Sequence, residues 1–106
     1  MNDQFQAATG PLLLRHLMIH GYVQGVGYRW SLRAQALNLQ LTGWVRNRQN
    51  GCVEALICGT FPAVEALTAW AHHGPPDSQV EHIDVSEPLA VEPHEMPMGF
   101  ELRPTC

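Results

Sequence analysis

Between Leu13 and His20 apolar and polar positions partly alternate, Leu17 and Ile19 against His16, Met18 and His20. This predicts a strand with one dry and one wet face. Glycines punctuate the next stretch, Gly21 to Gly27, and predict a loop. Tyr28, Leu32, Ala36 and Leu39 then recur at i, i+4, i+8 and i+11, the spacing of one helix face. Gly43 to Asn47 predicts a second strand, and Arg48-Gln49-Asn50-Gly51 a turn, since Asn-Gly takes positive φ cheaply. Cys52 to Cys58 returns from that turn, with Val53, Ala55 and Ile57 on one face and Cys52, Glu54 and Leu56 on the other. Pro62 stands where the first turn of a helix tolerates it. Val64, Leu67 and Ala71 follow at i, i+3 and i+7, with Trp70 beside them, and Gly74-Pro75-Pro76 ends that helix. Gln79 to Val85 predicts another strand through Val80, Ile83 and Val85. A stretch punctuated by Pro88, Pro93 and Pro97 leads to a short final strand around Phe100 to Arg103.

The predicted order is β-α-β-β-α-β with a short fifth strand. Two strand–helix–strand halves of this length fit an α+β, ferredoxin-like split βαβ sandwich. Right-handed crossovers place both helices on one face of an antiparallel sheet, and the other face is expected to be solvated. Residues 1–11, polar and ending in Gly10-Pro11, predict a flexible tail. Residues 12–106 then form a single domain.

Composition agrees with one globular unit: 106 residues, 45 % hydrophobic and 15 % charged. The longest apolar stretch, Pro11 to Ile19, is broken by Arg15 and His16 and falls short of the roughly 20 residues a bilayer needs. No positive charge precedes it, so a secretory signal is not expected either. Three cysteines is an odd number, and Cys52 and Cys58 on one strand would stand about 20 Å apart, beyond disulfide reach. Reduced thiols packed as small hydrophobes, in a cytoplasmic protein, are the expectation. The net charge of −4 disfavours general nucleic-acid binding but hides an asymmetry. There is no lysine. Up to Val53 the chain carries five arginines against Asp3 alone, a balance of +4; from Glu54 onward nine acids face Arg103, a balance of −8. A positive half in an acidic protein suggests a local anion site, unless the fold mixes the halves.

Two segments carry chemistry. The first, Gly21-Tyr22-Val23-Gln24-Gly25-Val26-Gly27-Tyr28-Arg29, joins a strand to a helix start. Glycines let successive amides turn into one hollow, and the helix N-terminus adds partial positive charge. Arg29 brings a planar donor fork that fits a phosphate or carboxylate, at a helix position where acids are usual. The other reading is an ordinary glycine loop with a solvated arginine. A Walker A loop is excluded by the lack of lysine, and a dinucleotide fingerprint by the missing third glycine and the distance to Glu54. The second segment runs from Gly43-Trp44-Val45-Arg46-Asn47 through Gly51-Cys52-Val53 to Gly59. The Asn47 amide can orient a water through its paired donor and acceptor; taken alone, it reads as a turn residue.

Together the two segments resemble the acylphosphatase family. The first matches its Gly-x-Val-Gln-Gly-Val-x-aromatic-Arg pattern at every fixed position. The second matches Gly-aromatic-Val-Arg-Asn, three residues, Gly-x-Val, five residues, Gly. The likeness runs from Arg15 to about Arg103. It implies that Arg29 binds phosphate, that the amides of Gly25, Val26, Gly27, Tyr28 and Arg29 form the cradle, and that Asn47 positions the attacking water. It implies hydrolysis of a carboxylic–phosphoric mixed anhydride without metal, cofactor or covalent intermediate. The expectation is a cytoplasmic, monomeric enzyme for a small acyl phosphate, with no nucleic acid and no membrane as partner. Acetyl phosphate, carbamoyl phosphate and 1,3-bisphosphoglycerate are all admissible. One departure stands out: the family often has glycine where Gln40 stands, and a left-handed helix end there costs a side chain about 1 kcal/mol.

Three competing readings are weaker. Zinc binding is disfavoured because His16 and His20 on one strand lie about 13 Å apart. His72 and His73, adjacent on a helix, point about 100° apart, and no Cys-x-x-Cys exists. His20 stands near enough to the loop to tune its pH response, although a solvated side chain is the stronger reading. An RNA-binding module of this fold needs aromatic residues on the central strands, and Leu13–His20 and Cys52–Cys58 have none. A non-catalytic anion-binding or regulatory module is opposed by intact Arg29 and Asn47.

Overall fold

The computed structural model describes residues 12–88 and 96–106. The expected tail over residues 1–11 and the middle of the Pro-punctuated stretch, Pro93 included, lie outside them. The elements in chain order are β1 (Leu13–Tyr22), α1 (Tyr28–Asn38), β2 (Thr42–Asn47), β3 (Val53–Gly59), α2 (Phe61–Ala71), β4 (Gln79–Ser86) and β5 (Phe100–Arg103). Type and order are as the pattern predicts. The first strand runs on to Tyr22 because Gly21 and Tyr22 pair with Val80 and Gln79 beyond a bulge. Cys52 belongs to the turn, where the Asn50 side chain accepts its amide hydrogen.

The five strands form one sheet in the order β4-β1-β3-β2-β5. The first four pair antiparallel, whereas β5 lies parallel to β2, Gly43 opposite Phe100 and Arg46 opposite Arg103. The sheet is therefore mixed, not wholly antiparallel as expected. The reason is connectivity: β4 finishes at the end of the sheet where β2 begins, and β5 starts at that same end.

Both helices cover one face. Leu17, Ile19, Val45, Val53, Ala55, Ile57 and Phe100 from the sheet meet Tyr28, Leu32, Ala36, Val64, Leu67 and Ala71 from the helices, all essentially inaccessible. Each large aliphatic side chain buried this way contributes roughly 1.5–3 kcal/mol before entropy is counted. The helix ends differ in how they are closed. The Thr60 hydroxyl accepts from the Ala63 amide at the start of α2, with Pro62 in its first turn. At the start of α1 the capping position is Gly27, which offers no side chain, and no acid stands in the first turn.

The end of α1 is a Schellman turn. The Leu41 amide donates to the Ala36 carbonyl and the Gln40 amide to the Leu37 carbonyl. Gln40 takes the left-handed position with φ 60°, the only described non-glycine residue with positive φ. Gln40→Gly is therefore expected to raise stability by about 1 kcal/mol, read as a higher urea midpoint with unchanged slope.

The second face of the sheet is less wet than predicted. Trp44, Cys52, Glu54 and Leu56 are all buried there. Long polar side chains lie over them: the Arg46 and Arg103 guanidinium groups stack over the Trp44 ring at 4.7 and 5.0 Å. Glu54 bonds His16 at 2.7 Å, Arg46 at 2.8 Å and Arg48 at 3.0 Å. Burial pushes the Glu54 carboxyl up, but these hydrogen bonds outweigh it and bring its pKa down to about 2. Such a group stabilises the fold fully above its ordinary value of 4.5, and the stabilisation is lost as pH falls through the folded value. Unfolding free energy is expected to decline from about pH 4.5 to about pH 2, and Glu54→Gln to flatten that decline in urea titrations.

Candidate active site

The loop between β1 and α1 is built for close approach to its backbone. Gly25 and Gly27 have φ of 77° and 80°, conformations that L side chains rarely adopt. A Cβ at either position would meet nothing within 4 Å, so the space beside them is open. Val23 is buried and Val26 packs against the core, which anchors the loop from below. The first helical bond of α1 runs from Ser31 to Gly27. The amides of Tyr28, Arg29 and Trp30 thus have no partner inside the helix. With no cap and no acid at this end, its partial positive charge faces the open space.

Gln24 fixes what stands opposite. Its Nε2 donates to the Arg48 and Cys52 carbonyls, both at 2.8 Å. The loop is therefore tied to the β2–β3 turn, and the end of β2 comes with it. Asn47 is the last residue of β2, and its carbonyl accepts from the Cys106 amide at 3.0 Å. The result is a cleft of about 110 Å³ lined by Val23, Gly25, Gly27, Tyr28, Arg29, Trp30 and Asn47.

The structure brings the two polar residues singled out by sequence, Arg29 and Asn47, into this one cleft. Arg29 is part-buried, and one Nη donates to the Arg103 carbonyl at 3.5 Å. Arg15, Arg46, Arg48 and Arg103 each pair with a carboxylate, whereas Arg29 pairs with none among the described residues. The Asn47 Oδ1 is buried and has no hydrogen-bond partner among them, a costly state unless something in the cleft donates to it. Gly25 and Gly27 line the cleft directly. The Tyr28 ring points into the core and its hydroxyl donates to the Ala71 carbonyl at 2.7 Å; burial pushes its pKa up. Val26 is absent from the lining, so from these two residues only the backbone is suited to a ligand.

Two participants were not assigned from sequence. Gln24 belongs to the loop motif, but its bridge needs the two loops to be neighbours. Trp30, 63 % exposed, stands at the cleft and also lines a wider groove with Arg33, Phe100 and Leu102. A large exposed aromatic next to Arg29 was the available signal. His20 does not line the cleft: its Nε2 meets Asp84 at 2.8 Å and its Nδ1 meets the Cys52 sulfur at 3.2 Å. The lining contains no histidine, cysteine, aspartate or glutamate, so it offers no imidazole, thiolate or side-chain carboxylate to a metal ion.

Open glycine backbone, helix-start amides without helical partners, an unpaired guanidinium and a carboxamide oxygen without a partner are groups able to bind an oxyanion. Comparison with known proteins gives the family. The acylphosphatase family model matches residues 15–102. A curated acylphosphatase from Acidovorax sp. strain JS42 is 50 % identical over 99 residues, spanning 93 % of this chain and 98 % of the relative. The solved structure of an acylphosphatase from Coxiella burnetii superposes with TM-score 0.79 at 36 % identity, covering 87 % of this chain and 93 % of that one. The acylphosphatase crystal structure from Bacillus subtilis gives TM-score 0.78 at 33 % identity, covering 88 % and 99 %. With this match in sequence and in fold, the chain belongs to the acylphosphatase family of enzymes.

Proposed function

We propose that the cleft hydrolyses acyl phosphates, with the phosphoryl group held by Arg29 and the amides of residues 25–29 and the attacking water positioned by Asn47. The observation that carries this reading is the convergence of Arg29, the glycine backbone and the partnerless Asn47 Oδ1 on one small cleft. Asn47 Oδ1 accepts a hydrogen from the water and directs its lone pair toward phosphorus. The water oxygen bonds to phosphorus as the bond to the acyl oxygen breaks, and the carboxylate leaves with that electron pair. The water proton passes to a phosphoryl oxygen, giving carboxylate and inorganic phosphate. A carboxylate is a good leaving group and needs no acid to protonate it, in keeping with a lining free of carboxyl and imidazole groups. The transition state spreads charge over the equatorial oxygens, where fixed amides and a guanidinium stabilise it most.

The same reading makes the reaction independent of metal and cofactor. We read the chain as a monomer acting in the cytoplasm; the free thiols of Cys52, Cys58 and Cys106 suit the reducing setting, and do not bear on the oligomeric state. No helix among the described residues is long and apolar enough to cross a membrane. Benzoyl phosphate in the presence of EDTA is the test. Hydrolysis well above the buffer rate is expected, and a rate equal to buffer would remove the catalytic reading. RNA binding is not favoured, because Trp44 lies beneath two guanidinium groups on the sheet face.

A further inference from the structure

Outside the cleft, one cluster of ligand-type side chains stands on the helix-free face at the β1–β4 edge. His20 lies directly opposite His82 across the antiparallel pair, and Asp84, two residues further on, shares their face. The two imidazole rings stack with centroids 4.1 Å apart and planes within 10°. Asp84 spans both: Oδ2 is 2.8 Å from His20 Nε2 and Oδ1 is 3.7 Å from His82 Nε2. One ligand atom from each residue lies within 4.8 Å of the others.

We propose that His20, His82 and Asp84 bind a divalent transition-metal ion of the zinc class. The ligands are the two imidazole nitrogens and one carboxylate oxygen, and water completes the shell. Two imidazoles and a carboxylate suit zinc, nickel or copper(II) rather than magnesium or calcium. A tetrahedral zinc ion needs its ligand atoms about 3.3 Å apart, which small rotations of these side chains supply. His82 and Asp84 are more than half exposed and His20 is 29 % exposed, so those rotations meet little packing. The outer contact is also present: Cys52 Sγ sits 3.2 Å from His20 Nδ1, on the ring nitrogen away from the cluster. With Nδ1–H donating to that sulfur, the ring is oriented and Nε2 is left to ligate. The register shift just past His20 marks a bulge, a device that re-aims side chains at the edge of a sheet. Histidines close along the chain, His16/His20 and His72/His73, are poorly placed to share an ion, whereas this set spans 64 residues and is assembled by strand pairing. It shares no residue with the Arg29–Asn47 cleft and does not depend on the acyl phosphate reading.

The test is titration of the metal-free full chain with Zn²⁺ in competition with a chromophoric chelator. One ion per chain is expected, with Kd in the micromolar range. His82→Ala and Asp84→Asn should each weaken it at least about tenfold, since even an outer partner is worth that much. The double variant His72→Ala/His73→Ala, altered on exposed histidines elsewhere, should bind as the wild type does. Zinc should raise the wild-type melting temperature and leave that of His82→Ala in place. Circular dichroism verifies that each variant is folded. Uptake by His82→Ala within tenfold of the wild type, loss of uptake in the His72/His73 variant, or a wild-type Kd weaker than about 100 μM each overturns the proposal, the last being ordinary surface affinity.

Discussion

Arg29→Ala is expected to lower kcat/KM for benzoyl phosphate by roughly 10²- to 10⁵-fold, the range for transition-state donors and arginines in acyl and phosphoryl transfer. Arg29 is the one guanidinium in the cleft, and no carboxylate among the described residues neutralises it. Its charge acts on the phosphoryl oxygens before and during reaction. The variant should therefore also bind inorganic phosphate more weakly, seen as a higher inhibition constant. Arg29→Lys should recover only part of the loss, since an ammonium lacks the planar fork that grips two oxygens. Folding should change little, because the side chain makes a single long bond, to the Arg103 carbonyl. A folded Arg29→Ala protein with near-normal turnover and unchanged phosphate inhibition would refute its assignment.

Asn47→Ala should behave differently. Its carboxamide is assigned to the water, so kcat should fall by about 10² or more while KM and phosphate inhibition stay near the wild type. That split marks an interaction realised mainly in the transition state. A turn residue would give the opposite pattern: about 1 kcal/mol of stability lost and the folded protein fully active. The backbone of Asn47 accepts from Cys106, a bond that alanine keeps, while Oδ1 bonds nothing among the described residues. Removing it leaves no partner unsatisfied, so the melting temperature should move little. Both variants are best assayed well below melting, beside the wild type. Near-normal kcat in folded Asn47→Ala would leave the mechanism without a positioned nucleophile.

What could be read from sequence alone was local. The alternation around Leu17 and Ile19, the four-residue rhythm from Tyr28 to Leu39 and the Asn50-Gly51 turn each depend on near neighbours, and each element formed where expected. The glycines flanking Val26 announced an open backbone, and Gln40 stood out as a side chain in a place suited to glycine; its φ of 60° bears this out. Arg29 stood out by itself, as an arginine at a helix start after a glycine loop, whereas Asn47 alone read as a turn residue and became a candidate only through the resemblance of the two motifs to the acylphosphatase family. Tertiary structure decided everything that depends on which strands are neighbours and in what register. It placed β5 parallel to β2, buried Glu54 beneath His16 of β1, Arg46 of β2 and Arg48 of the adjoining turn, and let Gln24 join two loops. It also set His20 against His82 and Asp84. A strand's own pattern says which residues share a face, but not what stands beside them. A slip of one residue in pairing would turn each of these side chains to the other face, and that register is settled by the packing of the whole sheet against its two helices.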